Sequence, residues 1–248
     1  MRIATVVEGP SDHDVIQTVI NRLIPGKHRY SSLQPIGTMN EKTGDVVYGE
    51  TGAGWKGVRR WCRETWQRPG SNLEMMLGSV TNDPIDLLIL HLDADVIAND
   101  DLQDGNPVPI ADVNAPCPPA QTAIENLKQI VLAWLQLQTL PPTIIFMIPS
   151  QDTETWTFAA LYPNDLLCSA ENFECVKFDG PKNEHPGYLL TTPSYGKRLA
   201  YKDGKVKKSG HLYQDLLPAI GKEWDTVCKI CTQAQIFSQD IRQRIQNG

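Results

Sequence analysis

The residues best suited to chemistry are Asp93 and Asp95, which end the stretch Asp86 to Val96, read DLLILHLDADV. Leu87, Leu88, Ile89 and Leu90 form a continuous apolar run, as in a strand buried on both faces of a parallel sheet. In an extended chain alternate residues point the same way, about 7 Å apart from Cα to Cα. Both carboxylates are therefore expected to project together from the carboxyl end of a central strand, the edge where open α/β sheets place their ligands. Neighbouring carboxylates repel, and a divalent cation relieves the repulsion. Hard oxygen ligands select magnesium or manganese rather than zinc. A strand running into an acidic, solvated loop would give the same letters.

Glu8 occupies a comparable place near the start of the chain. Arg2 to Val7 reads as a strand and Glu8-Gly9-Pro10-Ser11-Asp12 as the turn after it. Ser11 with Asp14 resembles a capping box. Val15, Ile16, Val19, Ile20, Leu23 and Ile24 then recur at helical spacing up to Pro25. A carboxylate just before a helix can serve the helix dipole alone; if the two strands are neighbours, Glu8 shares a sheet edge with Asp93 and Asp95. Asp12 reads as a first-turn helix residue, with an outer place around a metal as its alternative. Farther on, Thr143 to Ile148 reads as a buried strand and Gln151 to Leu161 as the next helix. Glu154, in SQDTETW, is thus a third acid just beyond a strand end and a candidate metal ligand. Asp152 reads as a dipole partner, Trp156 and Phe158 as core.

Candidates for phosphate contact are basic. Lys56 lies beside Trp55 in the glycine-rich stretch Gly49 to Gly57, and Arg59, Arg60 and Arg63 lie with Trp61 and Trp66 in a helix expected over Val58 to Gln67. Basic residues mixed with aromatics can follow a nucleic-acid backbone; a solvated helix face over core tryptophans explains the same letters. The glycines match no phosphate-loop spacing and suit a flexible loop. Gly196 to Lys208 is the most basic stretch, with Lys197, Arg198, Lys202, Lys205, Lys207 and Lys208 against Asp203. It would supply phosphate contacts beside a metal or form a solvated loop.

The elements that must place these residues read as an α/β chain. Tyr30 to Ile36 and Asp45 to Tyr48 suit short strands. Ile97 to Pro119, with Asp100, Asp101, Asp104 and Asp112, suits a long loop, and Ala123 to Gln138 an amphipathic helix. From Leu166 the segments shorten. Pro181 to Pro193 reads as a loop, and His211 to Gln246 is helical in pattern. A net charge of −6 over 248 residues argues against a general nucleic-acid coat while allowing a local basic groove. No apolar run approaches a membrane span, and the start MRIATVVEG lacks a signal-peptide layout. The six scattered cysteines read as reduced, which suits the cytoplasm; Cys228 and Cys231, a lone CxxC on a helix, read as core.

Glu8-Gly9 after a first strand, followed by Asp93-Ala94-Asp95 after a later one, resembles the Toprim domain of topoisomerases, primases and OLD-type nucleases. VEGPSDHDVI is most similar to the OLD-type branch. IPSQDTETW and PSYGKRL resemble small stand-alone Toprim-like proteins of unassigned function, often found in mobile or defence-associated gene neighbourhoods. The resemblance covers residues 1–165 and more loosely the tail. It implies a Rossmann-like central parallel sheet of about four strands between helices, with residues 166–248 as a basic loop and helical extension packed on it. It further implies a magnesium- or manganese-dependent nuclease: Glu8 as general acid/base or ligand, Asp93 and Asp95 holding the metal, and Glu154 completing a second position. No tyrosine is placed as a topoisomerase nucleophile, and no primase zinc module or GxxxxGK[ST] motif occurs. The implied partners are nucleic acid, DNA before RNA, then a separate ATPase or effector and a second copy of the chain. Two other readings stay open: a nucleotide-sugar glycosyltransferase that uses the DAD strand, and a non-catalytic or partner-dependent nucleic-acid-binding subunit.

Overall fold

Four parallel strands carry the architecture: β1 (Arg2–Val6), β2 (Arg29–Gln34), β5 (Leu87–His91) and β6 (Ile144–Met147), in the order β2-β1-β5-β6. The computed structural model describes residues 1–39, 46–48, 52–65, 84–106, 110, 113–177, 184–202, 204–208 and 210–247. Two short antiparallel pairs lie outside the main sheet: β3 (Gly37–Met39) with β4 (Val46–Tyr48), and β7 (Ala200–Lys202) with β8 (Lys205–Lys207).

Side-chain alternation explains why β5 is apolar at consecutive positions. Leu87 and Ile89, with Ile3, Ile145 and Met147, face α1 (Pro10–Leu23) and the helices that follow β6. Leu88 and Leu90, with Ala4, Val6, Ile144 and Phe146, face α2 (Gly54–Glu64) and α3 (Gln121–Trp134). Helices thus cover both faces, so a central strand has no polar side to show. The chain is an α/β protein with a helical C-terminal segment.

Helix α4 (Thr153–Leu161) is buried at every position from Thr153 to Ala160. It lies between the sheet and the C-terminal helices α6 (Gly210–Gln214), α7 (Leu217–Lys222), α8 (Trp224–Ile230) and α9 (Thr232–Asn247), after a short α5 (Pro186–Leu189). Trp156 meets Trp224 edge-on at 5.4 Å, and the Trp224 Nε1–H donates to Ser238 Oγ at 2.8 Å. A polar residue on α4 is therefore enclosed and needs a partner within the protein.

Local details depart from the sequence reading. Asp93 is extended, but Ala94–Ala98 is a 3-10 turn, so Asp93 and Asp95 do not share one extended register. Asp93 is buried and Asp95 turns toward solvent. Helix α1 begins at Pro10 with Gly9 as its cap, and Asp12, not Asp14, bonds back to the Gly9 N–H, because Pro10 suits the first helical position. The glycine stretch is in part helix, since α2 starts at Gly54; Gly49, Trp66 and Gln67 lie outside the described residues, as do Asp112 and Asp203. Pro186–Leu189 is helical where a loop was expected.

Four cysteines are thiols, with Cys231 in the core, but Cys117 and Cys175 form a disulfide across 58 residues. The reading of all six as reduced is corrected: sequence spacing does not reveal which cysteines a fold brings together. Replacing both by serine is expected to cost about 2–4 kcal/mol in a denaturant titration, because the bridge restrains the unfolded chain. Among the described residues no helix is long and apolar enough to cross a membrane.

Candidate metal centre

Strand order fixes where chemistry gathers. From β1 the chain moves outward to β2 in one direction, while β5 and β6 extend the sheet in the other. The crevice at the carboxyl ends of β1 and β5 is therefore a topological switch point. Val6 pairs with Leu90, so Glu8 and Asp93 leave their strands at nearly the same level. The Asp93 N–H donates to Glu8 Oε1 at 2.9 Å, and the Glu8 carbonyl accepts the Gly54 N–H at 2.8 Å. One glutamate thus ties the ends of β1 and β5 to the start of α2.

Beside this contact lie Asp12, His91 and Asp93, whose ligand atoms all fall within 4.8 Å of one another. Asp12 is 2% exposed and held in place by the Gly9 N–H and by the Thr153 hydroxyl, which donates to Oδ1 at 3.1 Å. His91, the last residue of β5, is fully buried; its Nε2 stands 3.3 Å from Asp93 Oδ1. Among the described residues His91 Nδ1 has no hydrogen-bond partner, and His91 Nε2 and Asp93 Oδ1 have only each other. Buried polar atoms ordinarily find one. One ring nitrogen of His91 with one oxygen each from Asp12 and Asp93 makes a donor set that fits a divalent cation with mixed oxygen and nitrogen ligands.

Lys208 enters from the opposite side. It follows the β7–β8 hairpin, and its Nζ lies 2.9 Å from Glu154 Oε1, 3.4 Å from Asp12 Oδ1 and 4.0 Å from Asp93 Oδ2. It also donates to Thr153 Oγ1 at 3.1 Å. Glu154 is thereby joined to the cluster through this ammonium. Asp152 caps α4 by accepting the Thr155 N–H at 3.0 Å, and its Oδ2 lies 3.2 Å from His185 Nε2. Because His185 Nδ1 accepts the Tyr188 N–H, Nε2 must carry the proton shared with Asp152. Gly187 lets α5 approach closely: an added Cβ would stand 3.1 Å from Glu154 Cβ and 3.1 Å from His185 Cε1. Gly187→Ala is expected to lower stability by about 1–3 kcal/mol in chemical denaturation.

Charge is the dominant fact of the site. Burial, then Asp93 and Asp95, raise Glu8 well above the ordinary carboxyl range. Burial raises Asp93 despite Lys208 and His91. Asp95, partly walled by protein, is pushed up to about 7 by that desolvation and by Asp93 and Asp152. Burial pushes Glu154 up to about 8, against the pull of Lys208. Burial also works against charge on Asp12, but Lys208 and His91 outweigh it and lower its value. For Asp152, His185 and Lys208 likewise outweigh burial. Burial would discharge His91, yet Asp12 and Asp93 hold its imidazole above the ordinary value. Protons thus do what a cation would otherwise do.

The pH dependence follows. Glu154 and Asp95 have folded values above their unfolded ones, so the folded protein holds protons that the unfolded chain releases. Their contribution is favourable at low pH and is lost as pH rises from about 4 through about 8. Raised His91 acts in the same sense, while Asp12 and Asp152 lose stability only in acid below about 4. Without metal, the melting temperature is expected to be higher at pH 5.5 than at pH 8.5, and added Mn²⁺ to restore it at the higher pH. Calorimetric scans check this; a metal-free midpoint that rises across the window contradicts it.

The expected metal set of Glu8, Asp93, Asp95 and Glu154 is only partly gathered. Glu8 and Asp93 touch, Glu154 arrives through Lys208, and Asp95 stands at the outer edge. Asp12 and His91 join at the centre. His91 had a signal in the sequence, a histidine in an otherwise apolar strand two residues before Asp93. Asp12 had a weaker one, its place four residues after Glu8.

The basic residues also divide. Lys208 turns into the cluster, while Lys197 and Lys205 are exposed. Lys56 pairs with Asp101 at 2.6 Å, and Arg59 stacks on Trp55 and donates to the Asp101 carbonyl at 2.5 Å. These two hold the loop after the DAD turn against α2. Arg60 is exposed, Lys207 is half-buried, and Arg198 Nε donates to Tyr162 Oη at 3.4 Å. Compared with family models, curated proteins and solved structures, the chain matches none.

Proposed function

We propose that this protein is a divalent-metal-dependent nuclease of Toprim type, close to the OLD branch, which hydrolyses phosphodiester bonds in mobile-element or phage defence. The observation that carries the reading is the meeting of Glu8, Asp12, His91 and Asp93 at the switch point of a parallel sheet, with His91 Nε2 and Asp93 Oδ1 buried and given no partner but each other among the described residues. Asp12, His91 and Asp93 would hold Mg²⁺ or Mn²⁺, with Glu8, Asp95 and Glu154 around them. A metal bound there would supply Lewis-acid polarisation of a phosphate and a lowered pKa for water.

The chain's own residues do the rest. Glu8 keeps its proton to unusually high pH and is fixed on the Asp93 amide, which suits a general acid/base. Lys208 carries a persistent charge at the same point and suits a phosphate oxygen. Arg60, Lys197, Lys205 and Lys207 extend basic charge for the strand, DNA before RNA. A cytoplasmic location rests on the nucleic-acid substrate alone, since the Cys117–Cys175 bridge removes the cysteine argument.

Lys208 within the cluster also favours a second reading, a protein gated by an ATPase, effector or second copy that cuts only when Lys208 is drawn aside. The experiment is cleavage of supercoiled, linear and single-stranded DNA and of RNA with Mg²⁺ or Mn²⁺, alongside Glu8→Ala. Metal-dependent cutting lost in the variant supports the nuclease. Cutting that survives contradicts the site, and no cutting by any form favours the gated reading.

A further inference from the structure

Next to the cluster lies a cavity of about 530 Å³ that the chemistry above does not use. Ala94 and Ala98 from the turn after β5, and Ala120, Ala123 and Ile124 at α3, line it with small apolar groups. Asp95, two residues after Asp93, also lines this cavity, and its N–H donates to the carbonyl of Gln151 on the same wall. The cavity's polar margin includes Ser150, which is 4% exposed and whose Oγ has no hydrogen-bond partner among the described residues, and Gln151. Cys117 is part of the wall, and its bridge to Cys175 fixes that wall covalently.

We propose that this cavity receives a single unpaired nucleobase, with the attached phosphate toward Asp95 and the metal-binding residues. The inference rests on the nuclease reading and names its substrate class. Apolar aliphatic walls suit the faces of a planar heterocycle, and buried polar groups at the margin suit its edge. The volume lies in the small-molecule range and admits one base, not a stacked duplex. A base must therefore leave the stack to enter, and single strands, frayed ends or flipped nucleotides are the substrates.

The test compares AMP with ribose 5-phosphate, which differ only by the base, in calorimetric titrations of the full chain with Mn²⁺. AMP is expected to bind at least about 10-fold more tightly, since only its base can fill the apolar cavity. Ala123→Trp fills the cavity and should bring AMP down to the level of ribose 5-phosphate. Ala98→Trp, on an exposed turn, gives the same result with less risk to folding. Equal binding of the two ligands, or AMP binding unchanged in both folded variants, overturns the proposal. Base-dependent binding without cleavage of any nucleic acid leaves the cavity assigned and removes the nuclease. Cleavage without base-dependent binding does the reverse.

Discussion

On the proposed nuclease reading, Asp93→Ala is expected to reduce metal-dependent cleavage by at least about 10³-fold while leaving the protein folded. Asp93 joins Glu8, His91 and Lys208 at one point. Its amide holds Glu8, and its carboxylate lies 3.3 Å from His91 through Oδ1 and 4.0 Å from Lys208 through Oδ2. Yet burial holds this carboxyl above its ordinary value, so its charged form burdens the metal-free fold. Removing it relieves that burden. The melting temperature at pH 8 without metal should be unchanged or higher, and the Mn²⁺-induced rise should vanish. A variant that melts as wild type does with Mn²⁺ and still cuts would assign the metal elsewhere.

Lys208→Met is the second large effect, and it acts on stability. The ammonium sits against Asp12, Glu154 and Asp93, and those charges raise its own value well above the ordinary one despite burial. Taking away one side of a buried ion pair costs about 3–5 kcal/mol, because the other side is left buried and uncompensated. The loss should be largest near pH 8 and smaller near pH 5, where the carboxyls bind protons instead. Saturating Mn²⁺ should recover most of it, since a divalent ion can compensate the same oxygens. Urea titrations at the two pH values, with and without Mn²⁺, measure this. A loss equal at both pH values and untouched by metal would make Lys208 a packing residue only.

The sheet was legible because its cause is local. A continuous Leu87–Leu90 run means a strand covered on both faces, and the helical spacing of Val15 to Ile24 means a helix on one of them. The placement of Glu8 and Asp93 followed from strand ends and needed only adjacency, which the order β2-β1-β5-β6 supplies. The rest depended on contacts far apart in sequence. Lys208 meets Asp12 across 196 residues, and nothing in a run of lysines marks the one that turns inward. The burial of Asp12 needs Thr153 from another helix, and the Cys117–Cys175 bridge needs two loops to meet. The extended step expected from Asp93 to Asp95 is a 3-10 turn, a local choice that the alternation of a strand does not reveal.

The most direct measurement is a Mn²⁺ titration at pH 7.5 followed by electron paramagnetic resonance, with Asp93→Ala and His91→Gln beside the wild type. If the cluster is a metal centre, the free-ion signal is lost as protein is added, and the bound ion shows a nitrogen coupling. His91→Gln then binds without that coupling, and Asp93→Ala does not bind. A free-ion signal that persists at millimolar protein would contradict the metal centre.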